Sequence, residues 1–461
     1  MGITFSDYLS NLKSKRIAVV GAGVSNTPLI KVLLDAGIDT TVRDIRLREH
    51  IGKDVLNFAK AGAKLIVGDD YLNELTEDVI FRTPGLMPTN PFLREAVARG
   101  AVLTSEMEVF FELCPCKTIA VTGSDGKTTT TTIIAELLKR RGRTVHLGGN
   151  IGTPLLCHAD EMQPDDIAVI ELSSFQLISM RKSPDTAVVT NLTPNHLDVH
   201  TDMDEYIEAK QNIILYQKKT DRAVLNLDNN VTRDYAKTAP AEDILLFSRY
   251  EKVKNGVYLR NGKIYEATEG ERVAIMWAED ILLSGVHNTE NFLAAFAAVR
   301  GMVSHDLMRE TARTFPGVEH RLELVRELHG VRYYNDSIAS SPTRAIAGLR
   351  AFDQEVILIA GGKDKGVAFD ILGLEIIRRV KKLILTGMAA QQIYDAVIRS
   401  SGYDKKPEIH RCDNFTDAVY MASSLASDGD IVLLSPACTS FDSFTNFEER
   451  GNTFKDIVNR L

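Results

Sequence analysis

The stretch KTIAVTGSDGKTTTTT, residues 117–132, decides the fold of this chain. Residues 117–122 form an apolar, β-branched run, which predicts a buried strand. Residues 123–126 predict a glycine-rich turn, and a helix is expected from Lys127 onward. Such a turn aims backbone N–H groups and the helix dipole at one point, which suits a phosphate chain. The stretch therefore predicts a parallel α/β domain that binds a nucleotide.

The spacing of the turn is GxxGKT and not the common GxxxxGK[ST] pattern. Lys127 is expected to reach the β- and γ-phosphates, and Thr128 to ligate Mg²⁺. Residues 128–132 are all threonine, and β-branched residues are locally unfavourable at a helix start. A broken local rule indicates function, although a start that serves only as a helix cap is the alternative. The expected nucleotide-binding residues of the loop are Gly123, Ser124, Asp125, Gly126, Lys127, Thr128 and Thr129.

Polar residues follow two further predicted strands. Glu171 comes directly after the apolar run 167–170, and Asn191 and His196 follow the run 187–190. The carboxyl ends of parallel strands meet at one edge of a sheet, where an acid beside a phosphate loop is well placed to hold magnesium. Glu171 is the predicted metal ligand. His196 is the second candidate, with a surface or capping role as its alternative.

Lys210 lies on the apolar stripe of a predicted helix over residues 205–217. A lysine there is expected to be half-buried. Burial lowers its pKa and populates the neutral amine, which can react with CO₂ to give a carbamate. From spacing alone, a lysine whose stem covers the core is the preferred interpretation.

The two ends of the chain carry further strand patterns. RIAVV, residues 16–20, leads into Gly21-Ala22-Gly23 and a helical pattern, and Asp44 follows about twenty residues later, where a dinucleotide fold has its ribose-binding acid. Asn26 replaces the third glycine, which favours a Rossmann-like domain for a nucleotide diphosphate over an NAD site. Buried runs at 356–360, 383–386 and 431–434 predict another sheet.

Strands alternating with helical stretches predict parallel α/β sheets throughout. Three domains are expected over the 461 residues. The boundaries are placed to give an N-terminal Rossmann-like domain (1–111), a central phosphate-loop ATPase domain (112–316) and a C-terminal Rossmann-like domain (317–461).

A net charge of −8 argues against a nucleic-acid or acidic-membrane surface. No apolar run approaches the roughly 20 residues of a membrane span. The five cysteines include no CxxC pair, so neither a disulfide framework nor a zinc site is favoured. A reduced, cytoplasmic monomer that acts on small molecules is expected.

Taken together, these residues resemble the Mur ligase family over nearly the whole chain. The family's order is matched by the phosphate loop, Glu171, Asn191 to His196, Lys210, His287-Asn288 with Asn291, His320-Arg321 and Asn335-Asp336-Ser337. Residues 173–177 and 435–451 most resemble the branch that adds D-glutamate to UDP-N-acetylmuramoyl-L-alanine during cell-wall synthesis.

The resemblance implies an N-terminal UDP-binding domain, a central ATPase and a mobile C-terminal domain that brings the amino acid. ATP would phosphorylate the L-alanyl carboxylate, and the D-glutamate amine would attack the acyl phosphate, with two magnesium ions present. Lys127, His196 and Lys210 take the catalytic positions, with Lys210 as a carbamate. Thr128 would hold the first metal, and Glu171, His196 and Lys210 the second. Further nucleotide contacts implied are His287, Asn288, Asn291, Arg321 and Asp336.

The resemblance also implies a set of substrate contacts. For the UDP-sugar substrate these are Val24, Ser25, Arg46, Gly85, Asn150 and Ser173. For D-glutamate they are Ser340, Lys365, Ser440 and Phe447, with Lys365 facing its side-chain carboxylate. The chain departs from the family at Ile338, where many relatives carry lysine, and at Ile45, where a small polar residue is common.

Three other functions compete with this interpretation. A sister ligase, such as a folylpolyglutamate synthetase, would share the loop and metal site, but residues 435–451 argue against it. A phosphate-loop kinase is disfavoured by the GxxGKT spacing. A nucleotide-binding redox sensor would leave the loop, Glu171 and Lys210 unexplained.

Overall fold

The computed structural model describes residues 3–48, 51–193, 202–283, 285–364 and 368–461. The chain divides into two compact units, Met1–Phe315 and Pro316–Leu461. The described strands form three sheets, two in the first unit and one in the second. The prediction of an α/β fold with parallel-rich sheets in all three regions is confirmed.

The first sheet has five described strands, all parallel, in the order β3-β2-β1-β4-β5. The order reverses between β1 and β4, so the loops after these two strands meet at the point where α/β sheets bind ligands. The strands are β1 Ile17–Val20, β2 Thr40–Asp44, β3 Lys64–Val67, β4 Val79–Arg82 and β5 Val102–Thr104. The helices are α1 Phe5–Leu12, α2 Thr27–Asp35, α3 Lys53–Lys60, α4 Pro91–Ala98 and α5 Glu106–Leu113.

The second sheet has nine described strands in the order β14-β13-β12-β11-β10-β9-β6-β8-β7. The strands are β6 Lys117–Thr122, β7 Val145–Gly149, β8 Ile167–Glu171, β9 Thr186–Val189, β10 Arg222–Asn226, β11 Asp243–Ser248, β12 Gly256–Arg260, β13 Lys263–Thr268 and β14 Glu271–Trp277. The helices are α6 Lys127–Arg140, α7 Ser174–Leu177, α8 Met203–Leu215, α9 Asn230–Thr238, α10 Val286–Ala298 and α11 His305–Thr314, with short 3₁₀ helices at Leu156–Glu161 and Ala278–Asp280.

The third sheet, in the second unit, has six described strands in the order β15-β16-β20-β17-β18-β19. The strands are β15 Glu323–Leu328, β16 Val331–Asn335, β17 Val356–Gly361, β18 Val380–Thr386, β19 Glu408–Arg411 and β20 Ile431–Leu434. The helices are α12 Pro342–Arg350, α13 Asp370–Arg379, α14 Ala390–Arg399, α15 Phe415–Ser424 and α16 Phe447–Arg460.

The prediction that the sheets are parallel throughout is wrong at two places. Strands β12, β13 and β14 are antiparallel neighbours, and so are β15 and β16. Their two-residue turns are Asn261-Gly262, Glu269-Gly270 and His329-Gly330, with positive φ at both positions. Positive φ at both central residues is the type I′ geometry that matches the twist of a hairpin.

The buried strands position the site because their apolar residues are covered on both faces. All four residues of β1 and all five of β8 are buried, as expected of central parallel strands under helices. Helix α10 packs against α6 and buries every residue from Asn291 to Ala298, which fixes both helices on the second sheet. In the described part of the chain, no helix is both long and apolar enough to cross a membrane.

Candidate active site

The phosphate loop joins β6 to α6 and contains two glycines whose backbone conformations other residues rarely adopt. Gly123 has φ 148° and Gly126 has φ 78°. A Cβ atom at Gly123 would collide with Thr190 Oγ1, and one at Gly126 would collide with Asn291 Oδ1. The loop therefore lies against β9 and α10 with room for hydrogen only, and this close packing fixes its path.

Polar contacts hold the loop from both sides. Lys127 Nζ donates to the carbonyl oxygens of Gly123 at 3.0 Å and Ser124 at 2.9 Å, so its charge lies over the turn. Asn191 Oδ1 accepts from the Asp125 amide at 2.9 Å. Because α6 begins at Lys127, the positive end of its dipole faces the same turn. Cation, helix end and turn together have the charge that suits anionic phosphate groups.

The threonines of the run 128–132 differ in what their hydroxyl groups contact. Thr131 and Thr132 donate to the carbonyls four residues earlier, at 2.8 Å each, so their hydroxyls are satisfied within the helix. Thr129 and Thr130 are buried, and Thr130 Oγ1 lies 3.3 Å from Asn291 Oδ1. Thr128 alone points its hydroxyl to a carboxylate, as described next.

Thr128, Glu171 and Asn150 converge at the ends of neighbouring elements. Thr128 Oγ1 donates to Glu171 Oε2 at 2.7 Å, and Asn150 Nδ2 donates to Glu171 Oε1 at 2.8 Å. The Glu171 residue is only 1% exposed. The hydroxyl, carboxylate and amide oxygens are hard donors that suit Mg²⁺, which keeps several waters and needs few protein ligands. Asn150, expected at the UDP-sugar, therefore lies beside the predicted metal carboxylate, whereas His196 lies outside the described residues.

Lys210 is fully buried on α8, at 2% exposure, and not half-buried as predicted from the stripe. Its Nζ donates to Thr122 Oγ1 at 3.1 Å and to the Gly123 carbonyl at 2.9 Å, and lies 4.9 Å from the centre of the Tyr206 ring. Burial and the nearby Lys127 charge lower the pKa of Lys210 well below its ordinary value, against the pull of Glu171. Burial therefore shifts Lys210 towards its neutral amine form at the root of the phosphate loop.

Helix α10 brings part of the expected nucleotide site to the loop. Asn288 and Asn291 are buried, and Asn291 Nδ2 donates to Asn288 Oδ1 at 3.3 Å. Since Asn291 also meets Gly126 and Thr130, the two asparagines lie behind the phosphate loop. His287 is exposed on the first turn of α10.

Four of the expected UDP-sugar residues lie after the carboxyl ends of strands of the first sheet. Val24 and Ser25 follow β1, Gly85 follows β4, and Arg46 follows β2. Arg46 binds the Asp44 carboxylate through Nε at 2.8 Å and Nη2 at 2.7 Å. Burial would raise the pKa of Asp44, but hydrogen bonds from Arg46 and from the Ala22 amide lower it overall. Asp44 thus orders the glycine turn and Arg46.

Asn26 shows why the third glycine of a dinucleotide fingerprint is missing. Its buried side chain donates to the Gly21 carbonyl at 2.9 Å and tightens the turn from inside. Ser173 has a comparable role after β8, where it caps α7 in a reciprocal pair with Gln176. Ser173 is therefore held as the N-cap of the short helix that follows Glu171.

In the second unit, expected residues follow the ends of β16 and β20. Asp336 is buried and accepts from Ser435 Oγ at 2.8 Å. Burial raises the pKa of Asp336 to about 7, although Ser435, Arg321 and other groups oppose that rise. Arg321 is exposed, Ser340 is half-buried and Ser440 is buried. The Phe447 ring meets the His320 ring edge to face at 6.0 Å, and Lys365 lies outside the described residues.

Several residues of these sites were not singled out from the sequence. Tyr206 OH lies 3.0 Å from Ser124 Oγ, and the buried Arg450 donates to the carbonyls of Ser337 at 2.9 Å and Cys438 at 3.1 Å. Burial lowers the pKa of Arg450 to about 10. Arg450 lies in the motif 435–451, so its charge on an apolar helix face was a usable signal. Tyr206 on the stripe of α8 resembles any core tyrosine.

Two family models match the chain. The Mur ligase middle domain matches residues 121–299, and the Mur ligase, glutamate ligase domain matches residues 320–438. These ranges contain the phosphate loop with Glu171 and Lys210, and the strand ends of the second unit.

Full-length relatives are equally informative. The UDP-N-acetylmuramoylalanine--D-glutamate ligase of Clostridium novyi is 48% identical over 99% of both chains. The enzyme of that name from Acetivibrio thermocellus is 49% identical over 100% of both. Among solved structures, the UDP-N-acetylmuramate-alanine ligase of Thermotoga maritima aligns with a TM-score of 0.58 at 17% identity, over 97% of this chain and 99% of that one. That structural likeness supports the fold.

Proposed function

The chain belongs to the Mur ligase family, and on that premise we propose that it is the ATP-dependent ligase that joins UDP-N-acetylmuramoyl-L-alanine to D-glutamate in peptidoglycan synthesis. The identity of 48% and 49% over whole chains to two enzymes with this name is the observation that carries the proposal. ATP and a UDP-linked substrate further assign the reaction to the cytoplasm.

The reaction has two chemical steps. An oxygen of the L-alanyl carboxylate attacks the γ-phosphorus of ATP, the bond to the bridging oxygen breaks, and ADP leaves. The amine of D-glutamate then attacks the acyl carbon, and the tetrahedral intermediate expels inorganic phosphate as the amide forms. The neutral amine loses one proton to solvent or a base during this step, and the amide nitrogen keeps the other. Negative charge gathers on the transferred phosphoryl group in the first step, so fixed positive charge beside it accelerates the reaction.

The phosphate loop supplies that charge. Lys127, already over the turn, neutralises phosphate oxygens, and the end of α6 adds its dipole. Gly123 to Thr129 form the phosphate site, and Asn288 and Asn291 support it from behind. His287, Arg321 and Asp336 complete the proposed nucleotide contacts. A guanidinium suits this role because it is planar and always charged.

Mg²⁺ would be held at two places. Thr128 would offer an oxygen donor for the first ion, and Glu171, His196 and a carbamate on Lys210 would hold the second. Bound magnesium offsets the charge of phosphate and acyl oxygens as the carboxylate and phosphate approach each other. Among the described residues, no group of three or more His, Cys, Asp or Glu side chains is placed to hold a metal ion.

The carbamate on Lys210 is supported by its surroundings. The ammonium group first loses a proton, and the neutral amine then adds to CO₂ and loses a second proton, so that a carbamate anion replaces a buried cation beside Lys127 and the metal site. A cation at this position would repel Lys127, whereas a carbamate would attract it. Lys210 therefore acts through the oxygens that it gains.

The substrates are assigned to different parts of the chain. Val24, Ser25, Arg46, Gly85 and Ser173 are proposed for the UDP-sugar substrate, and Asn150 for the end of that substrate nearest Glu171. Ser340, Lys365, Ser440 and Phe447 are proposed for D-glutamate. Lys365 would give the side-chain carboxylate of D-glutamate a positive partner, so amino acids without that carboxylate should be strongly rejected.

The test is an assay of the product. The protein is incubated with ATP, Mg²⁺, UDP-N-acetylmuramoyl-L-alanine and one amino acid at a time, and the products are separated and weighed by mass spectrometry. The proposal predicts an adduct of D-glutamate, with ADP and phosphate released over repeated turnovers only when both acceptor and amine are present. A phosphorylated acceptor that accumulates over repeated turnovers without any amide, even when D-glutamate is present, would identify a kinase, and an adduct of another amino acid would identify a sister ligase.

A further inference from the structure

Arg82 is a fully buried arginine at the end of β4, with no measurable exposure. Its Nη1 donates to the carbonyls of Pro84 at 3.3 Å and Leu86 at 3.2 Å. Its Nη2 donates to the Phe175 carbonyl at 2.9 Å and to Ser179 Oγ at 2.6 Å. One guanidinium thus joins a loop of the first sheet to a segment of the second sheet.

These contacts are unusual for a buried charge. All four of these partners are neutral oxygens, and Nε is buried without a hydrogen-bond partner among the described residues. Burial lowers the pKa of Arg82, and only the more distant Glu108 charge opposes this. Buried charges are normally paired, because desolvation of an unpaired ion is expensive. The buried arginine is explained by its planar guanidinium fork, which alone can donate to oxygens on two sides at once.

Arg43 in the same sheet is a useful contrast. It is 1% exposed and donates to three backbone carbonyls, but it also pairs with the Glu77 carboxylate at 3.0 Å. All of its partners lie between residues 71 and 77, on its own sheet. Arg43 therefore stabilises one loop, whereas Arg82 connects two sheets.

The partners of Arg82 on both sides lie close in sequence to residues of the proposed active site. The carbonyls of Pro84 and Leu86 flank Gly85, which is proposed to contact the UDP-sugar substrate. Phe175 and Ser179 belong to the segment that begins at Ser173, two residues after the metal carboxylate Glu171. A cavity lined in part by Ser25, Arg82 and Gln176 lies between the same elements.

We propose that Arg82 is a positioning residue that sets the UDP-sugar loop at a fixed distance from the segment following Glu171. The inference rests on the proposed function, because it concerns delivery of the L-alanyl carboxylate to the phosphate loop. A shift of about 1 Å in such a position can lower the rate by as much as 10²-fold. A lysine keeps the charge but cannot hold both sides at once, since it lacks the planar fork.

The experiment compares Arg82→Lys with Arg43→Lys in the full chain. Wild-type amide formation is measured first, so a failure of the proposed function is seen before any variant is tested. Arg82→Lys should raise KM for UDP-N-acetylmuramoyl-L-alanine about tenfold, lower kcat about tenfold, and leave KM for ATP unchanged. Arg43→Lys should lower thermal stability without changing either KM. Loss of folded protein lowers only the apparent kcat, so the KM change separates positioning from stability.

Two further variants keep the inference testable if Arg82→Lys folds poorly. Ser179→Ala removes one contact on the far side of the guanidinium and should raise the same KM about threefold, in the same direction. Arg82→Ala should regain activity when guanidinium chloride is added at low millimolar concentration, because the free ion can occupy the vacated fork. Folded Arg82→Lys and Ser179→Ala proteins with wild-type KM for the UDP-sugar substrate would overturn the proposal, and so would a rise in KM for ATP alone.

Discussion

Lys127 is the residue on which the proposed transfer of phosphate should depend most directly. Lys127→Ala removes the cation that lies over the carbonyls of Gly123 and Ser124. We expect turnover to fall by at least about 10²-fold, as it does when one group that stabilises a developing anion is lost. The measurement is the steady-state rate of ADP release with all three substrates present.

The matched control for this prediction lies on the same helix. Lys139 is exposed in the last turn of α6, where a cation only complements the helix dipole. Lys139→Ala should retain nearly full turnover, and both variants should have unfolding temperatures close to that of the wild type. Equal losses of turnover in the two variants would contradict a specific role of Lys127 in phosphate transfer.

A second prediction concerns the proposed carbamate on Lys210. The carbamate would supply oxygens that an unmodified lysine lacks. Lys210→Ala and Lys210→Arg should both be nearly inactive, since neither can add CO₂. Acetate added to Lys210→Ala should restore part of the activity by offering two carboxylate oxygens, and it should not restore Lys210→Arg, whose side chain fills the space. Rates are compared over a range of acetate concentrations. An active Lys210→Arg enzyme would rule out the carbamate.

The same residue shows what a sequence pattern can predict about a site. The apolar stripe of α8 correctly indicated that Lys210 faces inward, but it could not indicate that Thr122 and Gly123 take up its amine. Those contacts join β6 to a helix about ninety residues later, and no periodicity encodes them. Asn150 is similar, because its contact with Glu171 depends on the pairing of β7 with β8. Long-range partners are therefore the part of the site that the structure adds.

At the level of elements, Glu106 connects α5 to the 3₁₀ helix at Leu156–Glu161. It is buried, and Oε1 accepts from the Leu156 amide at 2.9 Å. Burial raises the pKa of Glu106 to about 7 from 4.5, although backbone hydrogen bonds oppose the rise. Between these two pH values the folded state binds more protons than the unfolded state, so this group makes the free energy of unfolding fall as pH rises. The full effect is about 3 kcal/mol, at 1.36 kcal/mol for each unit of pKa.

Glu106→Gln tests that dependence. The variant cannot ionise, so its thermal stability relative to the wild type should improve by several degrees between pH 5 and pH 8. The comparison cancels the titration of every other group, because both proteins contain them. The two unfolding temperatures are measured across this range. A difference in unfolding temperature that stays constant, or that favours the wild type at high pH, would show that burial does not raise the pKa of the Glu106 carboxyl.

The parallel elements were predictable for a simple physical reason. Central strands such as β6 and β8 are buried on both faces, so they appear as short apolar runs with polar residues at their carboxyl ends. The hairpins β12–β14 were missed because exposed antiparallel strands carry a weaker pattern. Asn261-Gly262 is nevertheless a strong hairpin signal, and it would have predicted the first of these turns.

At the level of the whole molecule, the chain is described as two compact units. The proposed division into residues 1–111, 112–316 and 317–461 also separates the first sheet from the second, and this finer division is a prediction. The Arg82 contacts show that the first two sheets are joined by specific buried hydrogen bonds. No pattern in the sequence predicts such a connection, because each partner alone resembles an ordinary core or loop residue.

The central claim is that the L-alanyl carboxylate is activated by phosphate transfer before the amide forms. The most direct measurement uses UDP-N-acetylmuramoyl-L-alanine labelled with oxygen-18 in both oxygens of that carboxylate. After reaction with ATP and D-glutamate, the inorganic phosphate is analysed by mass spectrometry. Each phosphate should carry one labelled oxygen, and the amide carbonyl should keep the other. Unlabelled phosphate formed together with amide would contradict the acyl phosphate and with it the proposed mechanism.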